Sequence, residues 1–178
     1  MTTKICNCKL FYTKNFFYHA FLSSHIVCVI HVWVKNSKIV KYATNFDNRL
    51  NNCQFQTLIH GDAKVENFCF GETEVAGCDF QWTGRGPGVK DLYMMISSCI
   101  EDESIIEEIL DTYFAYLHEY LPNFDQFKSL EKEWRELWPF VIVDFERFVL
   151  GWQPNHWKRT VYTARQSSIA CEIVKNSS

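Results

Sequence analysis

The sequence predicts an α+β domain that is mostly α, with a small β-hairpin carrying a candidate metal site. Three observations predict it. Apolar residues recur at helical spacing through much of 105–173. Two short apolar runs, Phe68-Cys69-Phe70 and Val75-Ala76-Gly77-Cys78, flank the turn Gly71-Glu72-Thr73-Glu74. The oxygen-bearing residues Asp62, Asn67 and Asp79 sit at the borders of those runs. At 178 residues, 47% hydrophobic, the chain is long enough for one domain with a real core.

Taken in order, the chain opens on a segment unlike the rest. Its first sixty residues hold no glycine, no proline and no glutamate. Residues 16–34 contain no Lys, Arg, Asp or Glu and follow Lys4, Lys9 and Lys14, a pattern shared with membrane anchors and signal segments. His19, His25 and His31 would be costly at bilayer depth, and 26–34 is β-branched enough to form one buried strand, so a membrane anchor is not expected. His25 and His31 with Cys28 hint at a metal set but lack a fourth ligand at zinc-like spacing.

Charge divides the chain near Asn51. Residues 1–60 carry seven Lys/Arg against the single acid Asp47, net +6. The remaining 118 carry eleven against twenty acids, net −9, and together these give the overall −3. The expected organisation is an atypical basic, apolar segment over 1–50 and a folded lobe over 51–178. A mildly acidic chain with no dense basic stripe excludes a nucleic-acid partner from the expectations. None of the eight cysteines forms a Cys-x-x-Cys pair, and Cys69 and Cys78 are expected as small buried thiols of a reduced, cytoplasmic protein.

The loop HGDAKVENFCF carries the chemistry. His60-Gly61-Asp62 alone fits a turn with a capping aspartate. Asn67 and Asp79 at their spacing add what phosphoryl transfer needs, which is positioning of an acceptor hydroxyl and neutralisation of phosphate charge by metal. In that arrangement Asp62 takes or orients the hydroxyl proton, Asn67 and Asp79 offer hard oxygens to magnesium, and Lys64 reaches the transferring phosphate. The hairpin brings Asn67 and Asp79 together. Gly84-Arg85-Gly86-Pro87-Gly88 lacks the Gly-x-x-x-x-Gly-Lys-Ser/Thr pattern and is expected as a connecting turn with a solvated Arg85. Lys90-Asp91-Leu92 opens the next helix, with Asp91 at its cap or in its first turn.

Ile105, Ile106, Ile109, Leu110, Tyr113, Leu117 and Tyr120 predict a helix ending near Leu121-Pro122. Phe127, Leu130, Trp134, Leu137, Val141, Ile142, Phe145 and Val149 predict another, kinked or split at Pro139 and stopped by Gly151 and Pro154. A last helix is expected from Asn155 through Trp157, Val161 and Ala164 toward Ile173, leaving Lys175-Asn176-Ser177-Ser178 as a loose polar tail. The aromatic stripe serves as core or as a substrate wall, and His156 as a packed or exposed histidine.

The stretch LIHGDAKVENFCF followed by VAGCDFQWTGRGPGVKDLYMM resembles the catalytic half of the kinase-like small-molecule phosphotransferases, which include aminoglycoside phosphotransferases, choline kinases and the ecdysteroid-kinase-like group, and is most similar to that last group. The resemblance, taken to cover about 55–170, implies the C-terminal lobe of a protein-kinase-like fold. It implies Asp62 as catalytic base, Asn67 and Asp79 as magnesium ligands, ATP as co-substrate, a small-molecule hydroxyl acceptor, and Asp79-Phe80-Gln81 in the place of Asp-Phe-Gly. It also implies that Asp91 braces the catalytic loop.

The nucleotide-gripping lobe of such folds has a Gly-rich loop, a strand lysine and a glutamate. Here Val32-Trp33-Val34-Lys35 resembles the lysine strand, yet only 27 residues separate Lys35 from Asp62. The N-terminal lobe is therefore expected to be absent or vestigial. The chain is then expected to be an incomplete product, or a shortened relative that has lost catalysis and acts as an interaction module binding a protein partner or a separately encoded N-terminal lobe.

Overall fold

The computed structural model describes residues 38–177. The expectations for 16–34, for His19, His25, Cys28 and His31, and for the Val32-Trp33-Val34-Lys35 strand concern positions outside these residues. The described part is a mostly helical α+β arrangement with two small antiparallel two-stranded sheets. Its helices are α1 (Lys38–Lys41), α2 (Ala43–Asn51), α3 (Val89–Cys99), α4 (Ile106–Tyr120), α5 (Phe127–Trp152) and α6 (Val161–Ser177). Its strands are β1 (Thr57–Ile59), β2 (Phe68–Phe70), β3 (Val75–Gly77) and β4 (Gly84–Gly86).

The core follows the 3.6-residue period of α4 and α5. Helix α4 buries Ile106, Leu110 and Phe114; α5 buries Leu130, Trp134, Leu137, Trp138, Val141 and Ile142 among others. Helices α2, α3 and α6 pack on α5. Phe46 of α2 meets Phe140 edge-on with centroids 6.1 Å apart, and both are fully buried. The charge boundary near Asn51 therefore falls at the end of a helix whose Phe46 and Leu50 belong to the core.

Helix α5 runs unbroken through Pro139. A proline costs one backbone hydrogen bond and crowds the preceding turn, and the fully buried Phe140, Ile142 and Val143 just beyond it supply the packing that carries the helix across.

Sheet pairing differs in part from expectation. The hairpin forms as predicted, β2 against β3 with Phe68 opposite Gly77 and Phe70 opposite Val75. Cys69 on it is exposed and Cys78 half-buried, because this sheet has only two strands and little covers it. Gly84-Arg85-Gly86, expected as turn, is strand β4, paired antiparallel with β1 so that Thr57 faces Gly86 and Ile59 faces Gly84. A Cβ on Gly86 would stand 3.1 Å from Ile59 Cδ1, so the missing side chain lets the strands close. Arg85 is exposed.

The last helix starts at Val161 rather than Asn155. Thr160 caps it: the Thr163 amide donates to Thr160 Oγ1 at 3.2 Å and the Thr160 amide donates to Thr163 Oγ1 at 3.0 Å, a reciprocal pair that holds the first turn. At its far end Lys175, Asn176 and Ser177 are helical, with Ser177 Oγ donating to the Ile173 carbonyl. The expected loose tail is thus mostly the end of α6.

Candidate functional site

Strand β1 is held beyond both ends by a bidentate carboxylate. Before it, the Gln54 and Phe55 amides donate to Glu133 Oε1 and Oε2 of α5 at 2.7 and 2.8 Å. After it, the His60 and Gly61 amides donate to Asp91 Oδ2 and Oδ1 of α3 at 2.6 and 3.0 Å. These are charge-assisted bonds, the strong kind. Asp91, in the first turn of α3, thus braces the loop that carries Asp62.

Gly61 has φ +83°, and a Cβ there would lie 2.1 Å from the Trp82 carbonyl oxygen. Only glycine fits this left-handed, backbone-crowded position. His60 is buried, and its Nε2 lies 2.8 Å from the Cys78 carbonyl while its Nδ1 accepts the Asp62 amide at 3.3 Å. Nδ1 as acceptor puts the ring proton on Nε2, where it donates to Cys78. The imidazole is a structural pin between loop and hairpin, packed against Phe68 and Phe80 at centroid distances of 5.6 and 4.6 Å.

Asp62 and Asn67 meet directly. The Asn67 side chain, 6% exposed, donates through Nδ2 to the Asp62 carbonyl at 2.7 Å and to Asp62 Oδ2 at 3.0 Å. Lys64 Nζ donates to the same Oδ2 at 2.8 Å. Both bonds fall on Oδ2, so among the described residues Asp62 Oδ1 makes none and stays open as an acceptor. The bond to Asp62 keeps the Lys64 ammonium above the usual lysine range, with the charges of Asp79 and Glu66 adding to it.

Asp79 reaches the same region from the other strand. The Cys78 amide donates to the Asn67 carbonyl at 2.9 Å, extending the hairpin ladder by one pair and setting Asp79 one residue past Asn67's partner. Asp79 has φ 61°, the one non-glycine residue with positive φ among those described. Aspartate tolerates this region better than most residues, and such strain collects at functional sites.

A family model for the ecdysteroid kinase-like family matches residues 17–125, more than half of the chain. The chain belongs to the ecdysteroid kinase-like family. This supports its place among the kinase-like small-molecule phosphotransferases. The family match begins well upstream of the 55–170 stretch that the resemblance is taken to cover, and ends before α5. Neither the curated proteins nor the solved structures yielded a match.

In this ecdysteroid kinase-like chain the donor chemistry at the hairpin fits magnesium. The Asn67 amide nitrogen is committed to Asp62, which leaves its Oδ1 as the free end, and the Asp79 carboxylate is exposed. Amide and carboxylate oxygens suit a hard cation that keeps waters and phosphate oxygens in its shell. Among the described residues there is no cluster of three or more His, Cys, Asp or Glu that could hold a metal through protein ligands alone. No helix among them is long and apolar enough to cross a membrane.

Two residues escaped sequence reasoning, one that braces the loop and one that lies outside it. Glu133 grips residues 78 and 79 positions upstream, and no local pattern announces it. Lys158 follows α5 and stands in the field of Glu66, Lys64 and Asp62, with burial lowering its pKa. Its only sequence signal is adjacency to Trp157. A surface depression of about 360 Å³ lies beside this segment, lined by Glu146, Pro154, His156 and Arg159 among others; none of Asp62, Asn67 or Asp79 lines it.

Proposed function

We propose that the chain serves ATP-dependent transfer of the γ-phosphoryl group to a hydroxyl of a small molecule, in a cytoplasmic setting. The observation that carries this reading is the state of Asp62: one carboxylate oxygen is locked by Asn67 and Lys64, and the other is left open on a loop fixed by Asp91. A carboxylate held this way can accept a hydroxyl proton while its orientation is set beforehand. Asn67 and Asp79 would hold magnesium, which neutralises phosphate charge when bound. Lys64, kept protonated by its neighbours, offsets charge on the phosphoryl group and screens Asp62 from it.

Calorimetry of ATP with magnesium on the purified chain, beside Asp79→Asn, tests the reading. Binding lost in the variant supports it; binding that ignores the substitution removes Asp79 from the site. Asp62→Asn is expected to lower turnover by about 10²–10⁴-fold with nucleotide affinity retained. Turnover left at the wild-type rate would take Asp62 out of the proton-accepting role.

A second reading is favoured by the exposed apolar side chains Leu58, Phe70 and Val75 around the loop. In it the chain is a non-catalytic, kinase-derived interaction module whose partner is a separately encoded N-terminal lobe. No nucleotide binding to the wild-type chain would favour this module.

A further inference from the structure

The surface depression of about 360 Å³ at the segment between α5 and α6 falls in the size range of small-molecule sites. Glu146, one of its lining residues, is only 4% exposed. Arg159 Nε donates to Glu146 Oε1 at 2.6 Å, and among the described residues Oε2 accepts no hydrogen bond. Nor is Oε2 sealed inside the protein, because the enclosed side-chain oxygens without a partner among those residues are Thr83 Oγ1 and Ser167 Oγ. A buried carboxylate with an unbonded oxygen is costly until a donor reaches it, and the depression that Glu146 lines is the opening for one.

Other lining groups have bonding capacity to spare and are held in advance. Arg159 Nη1 donates to the Pro154 carbonyl, which leaves Nη2 without a partner among the described residues. His156 Nδ1 accepts the Lys158 amide at 3.2 Å, so the ring proton sits on Nε2, which has no partner among them either. The turn bearing these groups is tied by the His156 amide to the Gln153 carbonyl at 2.9 Å and by the Arg159 amide to the His156 carbonyl at 3.0 Å, while Thr160 Oγ1 donates to Glu103. Groups fixed before a ligand arrives lower the ordering cost of binding it. The His156 ring also lies against the indoles of Trp152 and Trp157, with centroids 5.4 and 5.6 Å away, and those indoles are 66% and 65% exposed. Open aromatic faces therefore accompany the polar lining.

Charge narrows the class of ligand. Glu146 and Arg159 offset each other, and the next cation is Lys158, whose ammonium lies 5.6 Å from the Phe145 ring centroid and 5.5 Å from that of Trp157. A cationic ligand would meet Arg159 and Lys158, and an anionic one would meet the open oxygen of Glu146. A neutral molecule with several hydroxyls avoids both costs: it donates to Glu146 Oε2 and accepts from Arg159 Nη2 and His156 Nε2. A sugar ring has hydroxyls around its edge and a C–H face that can lie on an indole. We propose that the depression is a binding site for a neutral saccharide. The proposal stands apart from the phosphotransferase reading, since none of Asp62, Asn67 or Asp79 lines the depression.

The test is a titration of the ¹⁵N-labelled full chain with glucose, galactose and mannose in turn, followed at the Trp157 indole N–H. A saturable shift is expected with at least one of them. For that sugar, Glu146→Gln should weaken binding roughly tenfold, the loss of a hydrogen bond to a charged group. Trp152→Ala, a change at an exposed ring that leaves the core intact, should weaken it roughly threefold. Tyr120→Ala, at an exposed ring on α4, should bind as the wild type does. The matching amino sugar and uronate, one cationic and one anionic, should both bind more weakly than the neutral sugar. No saturable shift with any of the three, unchanged affinity in either folded variant, equal weakening in Tyr120→Ala, or tighter binding of a charged sugar overturns the proposal. If Glu146→Gln fails to fold, Trp152→Ala decides alone.

Discussion

The loop from His60 to Asp79 and the bundle built on α5 hold their shapes by opposite means. In the bundle, large apolar side chains such as Phe46, Phe140 and Ile142 are fully buried, and stability scales with area removed from water. In the loop and the residues flanking it few large apolar side chains are covered: Leu58, Phe70, Val75 and Phe80 are exposed, and the chain is positioned by backbone amides of Gln54, Phe55, His60 and Gly61 donating to carboxylates rooted in α3 and α5. The site therefore borrows its rigidity. A loop with a small core of its own can still present Asp62 accurately because two helices of the bundle reach out and grip it.

The largest expected effect breaks the bundle side of the contrast. Phe140→Ala should cost about 3–5 kcal/mol, read as a lowered chemical-denaturation midpoint, with the loop's hydrogen-exchange pattern unchanged relative to the rest. Asp91→Ala should do the reverse. The amides of His60 and Gly61 lose about 1–3 kcal/mol of exchange protection, nucleotide affinity falls with them, and the global midpoint moves less than in Phe140→Ala. If Asp91→Ala lowered global stability as much as Phe140→Ala, loop and bundle would be one cooperative unit and the contrast would fail.

The smallest effect sits where the two regions meet. A Cβ on Gly88, just ahead of α3, would lie 2.7 Å from the Tyr113 hydroxyl, and burial pushes the Tyr113 phenol up to about 12. A phenol that ionises at about 10 when unfolded and about 12 when folded contributes stability that is full below pH 10 and lost as pH rises toward 12. Tyr113→Phe should therefore be nearly silent at pH 7 and should reduce the steepness of alkaline destabilisation by at most about one proton. The slope should persist in part, because burial also raises Tyr93 and Tyr162. Denaturation midpoints measured across pH 9–12 check this.

Much of this plan is legible in the sequence where the signal is local. Helical spacing in 106–120 and 127–152 marks α4 and α5, and the turn at 71–74 between apolar runs marks the hairpin, because both depend on residues within a few positions of each other. Strand β4 is illegible because Gly-Arg-Gly has no strand propensity and is extended only by its partner β1. The sequence puts the start of α6 too early because Trp157 and Val161 fit one period, while Thr160 and its reciprocal partner Thr163 decide the boundary. Glu133 acts across the fold, where spacing along the chain carries no information.

The continuity of α5 through Pro139 has a mechanical meaning. Glu133 sits near the start of that helix and Phe145 twelve residues on, a span of about 18 Å at 1.5 Å per residue. One end anchors the approach to the Asp62 loop and the other supports the ring beneath Lys158. A single rod thus works as a caliper, fixing the gap between the loop's entry and the lysine perched on Phe145. Any change that bends the rod at its buried middle retunes that gap without touching a residue at either jaw.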